Sequence, residues 1–181
     1  GTQVNFDSFD ADISADGKRV AFTSDGRLDP LVDVGSDLSV YVRDLAAGTT
    51  TLASRQTGPN ADADSDALSP SISADGRFVA FSSEASNLVA DEAKSCAWTN
   101  CPDVFVRDRV TGKTTRVSVN IDGEKASGGG SEPSISADGR YVAFVSHVAK
   151  TCATAQFACR DVFVGDRITG ETERVSVSSA G

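Results

Sequence analysis

Methionine is missing from the chain, even at position 1. The sequence is therefore expected to be a processed product or a piece of a longer protein. Histidine is nearly missing, with His147 alone. A single imidazole excludes mechanisms that need two, among them most His-rich zinc centres and the iron site built on two histidines and a carboxylate. Basic charge is scarce: 17 Lys and Arg stand against 26 Asp and Glu, a formal net charge of −9, and the pI is near 4.5. That balance lacks the basic footprint of a nucleic-acid binder. No apolar run approaches the roughly 18 residues of a membrane span. What is present, 39% hydrophobic and 24% charged residues over 181 positions, suffices for one packed domain and argues against wholesale disorder.

The chain repeats itself. Ile-Ser-Ala-Asp-Gly occurs at Ile13–Gly17, Ile72–Gly76 and Ile135–Gly139, each time followed by a run ending Val-Ala-Phe. A second block recurs as Val40–Asp44, Val104–Asp108 and Val162–Asp166. A third recurs as Thr115–Val119 and Glu173–Val177, with a weaker counterpart at Thr51–Arg55. The blocks are short, β-branched and aromatic, and Gly and Asp punctuate them, which reads as strand. Ala-Asp-Gly between two such runs is a tight hairpin turn, because Asp-Gly readily supplies positive φ. Each repeat then has a strand A ending in Ser-Ile-Ser, a strand B over Val-Ala-Phe, a strand C over Val-Phe-Val-Arg-Asp and a strand D over Arg-Val-Ser-Val. Four antiparallel strands repeated in constant order describe an all-β protein, a β-propeller of three blades. The blades are assigned to residues 1–56, 57–119 and 120–181 of one structural domain. Consecutive apolar residues in strands B and C fit sheets covered on both faces.

Ser69–Phe81, then Ala85-Ser86-Asn87-Leu88-Val89, then Asp103–Gly112 resemble the TolB-type, WD40-like β-propeller repeat of bacteria. The resemblance runs through nearly the whole chain, three times over. It implies a propeller of usually six blades and relatives such as periplasmic TolB and the propeller domains of prolyl-oligopeptidase-like enzymes. Many further relatives are secreted proteins of no known role. One departure is a Cys-containing insertion in the second and third repeats, where the family often has a Gly-Asp-Thr-Asn-Gly-like loop.

Three blades alone would leave two apolar sheet faces open to water. Ile13 to Ile72 is 59 residues and Ile72 to Ile135 is 63; from Ile135 off the end at Gly181 and in again at Gly1 to Ile13 is 59. This expects two copies paired head to tail in a six-bladed ring, or the missing half of a longer propeller supplying the same surfaces.

Cys101 and Cys159 each lie two residues before an equivalent Asp, and Cys96 and Cys152 precede them in the same B-to-C loops. The expected disulfides are Cys96–Cys101 and Cys152–Cys159, local staples of limited entropic worth. The competing reading is one zinc site using all four thiolates, although the second pair is spaced more widely than zinc pairs usually are. Disulfides and the resemblance both place the protein outside the cytoplasm, extracellular or periplasmic.

The long D-to-A and B-to-C loops share one rim, and acidic residues crowd it. The other rim carries Lys18, Arg19, Arg77, Arg109, Lys113, Arg140 and Arg167 in tight turns, which predicts a polarised molecule. Asp62, Asp64 and Asp66, with Asp29, Asp33 and Asp37, could supply oxygens to calcium; the plainer reading is a solvated acidic rim. Trp98 and Phe157 sit inside the two cysteine loops and could stack on a sugar, a peptide or a partner side chain, or simply cap their own loops. His147 would be the candidate general base, but no nucleophile stands at a diagnostic spacing and no Gly-x-Ser-x-Gly elbow occurs.

The reading is a non-enzymatic binding or scaffolding propeller of an exported bacterial protein. It expects no cofactor beyond calcium and a protein, peptide or glycan ligand at the acidic rim or channel mouth. The alternatives are the gating propeller of a larger hydrolase, such as a prolyl-oligopeptidase-like enzyme, and a sugar-binding lectin.

Overall fold

The computed structural model describes residues 6–29, 38–58, 62–90, 101–119, 129–148 and 159–179. Among them it holds twelve strands and no helix. Blade 1 is β1 (Ser8–Ile13), β2 (Arg19–Ser24), β3 (Ser39–Asp44) and β4 (Thr49–Leu52). Blade 2 is β5 (Ala67–Ile72), β6 (Phe78–Ser83), β7 (Asp103–Asp108) and β8 (Lys113–Arg116). Blade 3 is β9 (Ser131–Ile135), β10 (Tyr141–Val148), β11 (Cys159–Asp166) and β12 (Thr172–Arg174). Each is a separate four-stranded sheet whose strands pair antiparallel in chain order.

The repeated Ser-Ala-Asp-Gly builds the same turn three times. Ser73 Oγ donates to Asp75 at 2.6 Å, the Arg77 N–H donates to that carboxylate at 2.9 Å, and the Phe78 N–H donates to Ser73 Oγ at 2.9 Å. Ser14 and Asp16, and Ser136 and Asp138, repeat the pattern. The serine hydroxyl first, with the following N–H, holds Asp16, Asp75 and Asp138 below the usual carboxylate range.

At the far end of strand C, the Arg77 guanidinium grips Asp108 with two hydrogen bonds of 3.0 and 2.7 Å. Arg140 grips Asp166 likewise, at 3.0 and 2.7 Å. Blade 1 has a looser version, Arg19 to Asp44 at 3.4 Å. Three of the seven cations expected to make this rim basic are therefore held in ion pairs, and Arg109 and Arg167 donate to the Gly76 and Gly139 carbonyls. The Asp residues closing the turns and ending strand C lie beside those cations.

Strand D also differs from expectation. It runs Lys113–Arg116, and the Val-Ser-Val run lies beyond it. The Val117 N–H still reaches the Val104 carbonyl at 2.8 Å, but the Ser118 side chain then takes over. Ser118 Oγ accepts from the Val104 N–H at 3.0 Å and donates to Asp103 at 2.8 Å. Ser54 and Ser176 cap Val40 and Val162 in the same way. A hydroxyl replaces the ladder carbonyl, so the strand ends there.

Blades are glued by apolar joints. Ala21, Val40 and Val42 of blade 1 pack under Ile72, Phe81 and Phe105 of blade 2. Ala80, Val104 and Val106 of blade 2 pack under Phe144, with Ile135 and Phe163, of blade 3. Main-chain bonds tie the turns across each joint: the Ala15 N–H donates to the Ala74 carbonyl, and the Ala74 N–H to that of Ala137, both at 3.0 Å. Each joint also closes on a turn glycine. A Cβ on Gly139 would stand 2.1 Å from the Phe78 ring, and one on Gly76 would stand 2.4 Å from the Arg19 side chain.

Gly139 and Gly170 have similar positive φ, 72° and 78°, but a Cβ on Gly170 meets nothing within 4 Å. Gly170→Ala is expected to cost about 1 kcal/mol through backbone strain alone. Gly139→Ala should cost about 3 kcal/mol, because overpacking against Phe78 adds to that strain. Urea unfolding of both variants checks this, and equal losses would show that Phe78 does not need the space.

The Arg77 guanidinium holds the Asp108 carboxyl far below its usual range, and Arg140 holds Asp166 at about 2. The folded chain thus binds fewer protons than the unfolded one in acid. This stabilisation is complete above about pH 4, the ordinary carboxylate value, and is lost as pH falls through the folded value. Asp108→Asn should lower Tm by about 3 °C at neutral pH, the upper range for a well-formed ion pair. The deficit should shrink toward pH 2, and thermal melts from pH 7 to 2 measure it.

Candidate functional site

Arg107 in β7 points toward blade 1 and catches the connector leaving it. Its Nη1 donates to the Gln56 carbonyl at 2.9 Å, to the Arg55 carbonyl at 3.4 Å and to Thr114 Oγ1 at 3.1 Å. Burial, and next the neighbouring Arg55 charge, push the Arg107 guanidinium down to about 10. The connector then crosses the outer edge of blade 2. Thr57 Oγ1 accepts from the Thr114 N–H at 2.9 Å and donates to the Thr114 carbonyl at 3.2 Å. That side chain occupies the outward backbone groups in the middle of β8, where an extra strand would otherwise pair.

The second wall is the B-to-C loop of blade 2. Asn87 Nδ2 donates to the Asp62 carbonyl at 2.7 Å, and Asn87 Oδ1 accepts from the Asp64 N–H at 3.1 Å. The Asp64 carboxylate accepts from the Ser86 N–H at 2.6 Å and from its hydroxyl. Burial would raise the Asp64 carboxyl, but these Ser86 bonds more than offset it and leave it lowered. Leu88 is anchored in the core, with Val89 packed against it.

Between these walls lies an open groove of about 760 Å³, lined by Gln56, Thr57, Asn87–Ala90, Lys113–Arg116 and Val119. It offers two amides, three threonines, one lysine and aliphatic side chains. Arg116 is committed to Asp103 at 3.2 Å, both side chains being under a tenth exposed. A smaller recess of about 340 Å³ lies elsewhere, between β8 of blade 2 and the β11–β12 turn of blade 3, where Asp108, Lys113, Asp166 and Arg167 are among its lining. The surface is suited to holding a chain of mixed polarity. Sequence reasoning missed Gln56, Thr57, Ala90 and Lys113; the one available signal was the length of the connector between blades.

The four described acidic residues proposed for calcium, Asp29, Asp62, Asp64 and Asp66, do not converge. Asp29 is buried and accepts from the Leu52 N–H at 3.0 Å. Asp62 is buried and accepts from the Ala63 N–H at 2.7 Å. Asp66 accepts from the Leu38 N–H at 3.1 Å, and Asp64 serves Ser86. Among the described residues no three His, Cys, Asp or Glu side chains form a group able to hold a metal ion. Asp33 and Asp37 lie outside the described residues, as do Trp98, Phe157, Cys96 and Cys152. His147 lies in β10 opposite Arg160, and Cys159 opens β11 opposite Val148. Cys101, just ahead of β7, is disulfide-bonded. No helix among the described residues is long and apolar enough to cross a membrane.

No family model and no curated protein sequence matches the chain. Solved structures do match. A putative TolB from Agrobacterium tumefaciens is similar at 20% identity and a TM-score of 0.54, over 93% of this chain and 48% of that one. TolB from Acinetobacter baumannii is similar at 19% identity and a TM-score of 0.52, over 94% and 32%. The β-propeller domain of the Trilobed protease from Pyrococcus furiosus is similar at 14% identity and a TM-score of 0.55, over 95% and 43%. The chain thus spans less than half the length of each. Likeness at this level is likeness of fold, and the fold is a TolB-like β-propeller, here as three successive four-stranded blades.

Proposed function

We propose that the chain is a non-enzymatic binding or scaffolding propeller of an exported bacterial protein, and that it holds an extended protein or peptide segment in the groove outside β8. The observation that carries this reading is the construction of the groove. The connector arriving from blade 1 and the B-to-C loop of blade 2 supply its walls, the Arg107 bonds to Arg55 and Gln56 fix one wall, and the Asn87 bonds to Asp62 and Asp64 fix the other. Rigid walls around a wet, mixed-polarity cleft lower the ordering cost of binding. The disulfide at Cys101 supports an oxidising compartment, with Cys96 as its partner and a second pair at Cys152 and Cys159.

A second reading makes the chain part of the propeller of a larger peptidase. Its support is the likeness to the propeller domain of the Trilobed protease.

Ala90 is exposed at the groove's lip, so Ala90→Trp should fill the cleft without disturbing the core. Peptides selected from a random displayed library on the unaltered chain should bind this variant at least about tenfold more weakly, a loss of 1.4 kcal/mol. Peptides that bind both forms equally, or a library that enriches nothing, would remove the groove from consideration. Calcium has no place in this reading, and Tm should be the same in excess calcium as in excess chelator. A calcium-dependent rise would restore the acidic rim as a metal site.

A further inference from the structure

The two end faces of the three-blade arc differ, and each carries the half of a joint that the other lacks. Position by position, the internal joints show what a complete one contains. The residue two places after the turn glycine of one blade packs on the turn glycine of the next: Arg19 on Gly76, and Phe78 on Gly139. The third member of the series is Tyr141, 40% exposed. The third receiving glycine is Gly17, where a Cβ would meet nothing within 4 Å.

The residue after the strand C Asp completes the joint from the other side. Arg167 of blade 3 lies over the Phe78 ring at 4.2 Å, opposite Arg77 at 4.7 Å. Tyr141 has only its own Arg140, at 4.9 Å. The residue of blade 1 that corresponds to Arg167 and Arg109 is Leu45, 56% exposed. The exchange of Arg for Leu falls at the one joint where the opposing ring is a tyrosine backed by arginine. Apolar burial tells the same story. Ile72 is 6% exposed and its counterpart Ile13 56%; Val104 and Val117 are 0% and 6%, and their counterparts Val162 and Val175 are 38% and 44%.

Arg43 repeats the latch of Arg107. Its Nη1 donates to Thr50 Oγ1 at 3.1 Å, as Arg107 does to Thr114. The carbonyls that Arg107 also takes come from the preceding blade's connector, and their counterparts for Arg43 belong to Val177 and Ser178.

We propose that blade 3 of one chain docks on blade 1 of a second copy, Tyr141 lying on Gly17 and against Leu45, with Arg43 taking the Val177 and Ser178 carbonyls. Two copies joined head to tail cover all four open faces at once.

Light scattering on the unaltered chain should give a particle of twice its 18.7 kDa. One chain mass at micromolar concentration overturns the proposal, and would be the result if further blades of a longer chain normally cover these faces. A larger open polymer overturns the closed pair. Leu45→Cys and Tyr141→Cys, co-expressed, should form an interchain disulfide that neither variant forms alone. A cross-link in either variant alone, or none in the mixture, sinks the head-to-tail geometry. Gly17→Ala should shift the dissociation constant upward at least about tenfold, equivalent to 1.4 kcal/mol, while an unchanged constant would place Tyr141 elsewhere.

Discussion

The middle blade of this protein has no solvent face. Alternation along strands B and C of blade 2 puts Ala80, Val104 and Val106 on one side and Val79, Phe81 and Phe105 on the other, so the sheet must be covered twice. Val104 and Val106 are wholly buried under blade 3, and Phe81 and Phe105 wholly buried against blade 1. Each such side chain contributes about 1.5–3 kcal/mol when taken from water. The joint between blades, and not the ladder within one, is what makes a stable object. A four-stranded sheet taken alone would keep its hydrogen bonds and lose most of its burial.

Polar groups then have a narrower task, which is to end strands without leaving buried donors or acceptors unpaired. The Ser-Ala-Asp-Gly turn does so with one hydroxyl and one carboxylate in each blade. Ser54, Ser118 and Ser176 do it at the other end by standing in for a ladder carbonyl. The acidic loop residues follow the same rule. Main-chain N–H groups at strand ends need acceptors, and Asp29 and Asp66 accept from Leu52 at the end of β4 and from Leu38 just before β3. An unmade bond of this kind costs roughly 1–3 kcal/mol, ample reason for a buried carboxylate without invoking a cation.

This explains which features the amino acids disclosed. Ile-Ser-Ala-Asp-Gly and Val-Phe-Val-Arg-Asp show local chemistry, turn geometry and β-branched strand, so the blades and their order were legible. The Val-Ser-Val run misled because alternation of β-branched residues is a strand pattern, whereas Ser118 spends its hydroxyl inside the ladder. The turn-rim cations misled because their partners are remote: Arg77 meets Asp108 only after β6 and β7 have paired. The groove was hidden for the same reason. Its walls are a connector from one blade and a loop from another, and no spacing in the chain announces that Thr57 will cross Thr114.

In a repeat protein the constant positions describe the fold, and the departures distinguish one joint from the next. Position 107 shows this. Arginine there holds the incoming connector by its carbonyls at the edge of blade 2, and the cleft beside it measures about 760 Å³. The same position in blade 3 is Gly165, where Val117 approaches to 2.7 Å of a notional Cβ, leaving no room for any side chain. The recess at that joint is about 340 Å³. Blades 2 and 3 therefore meet without the arginine latch that ties the connector of blade 1 to blade 2, on a scaffold otherwise the same.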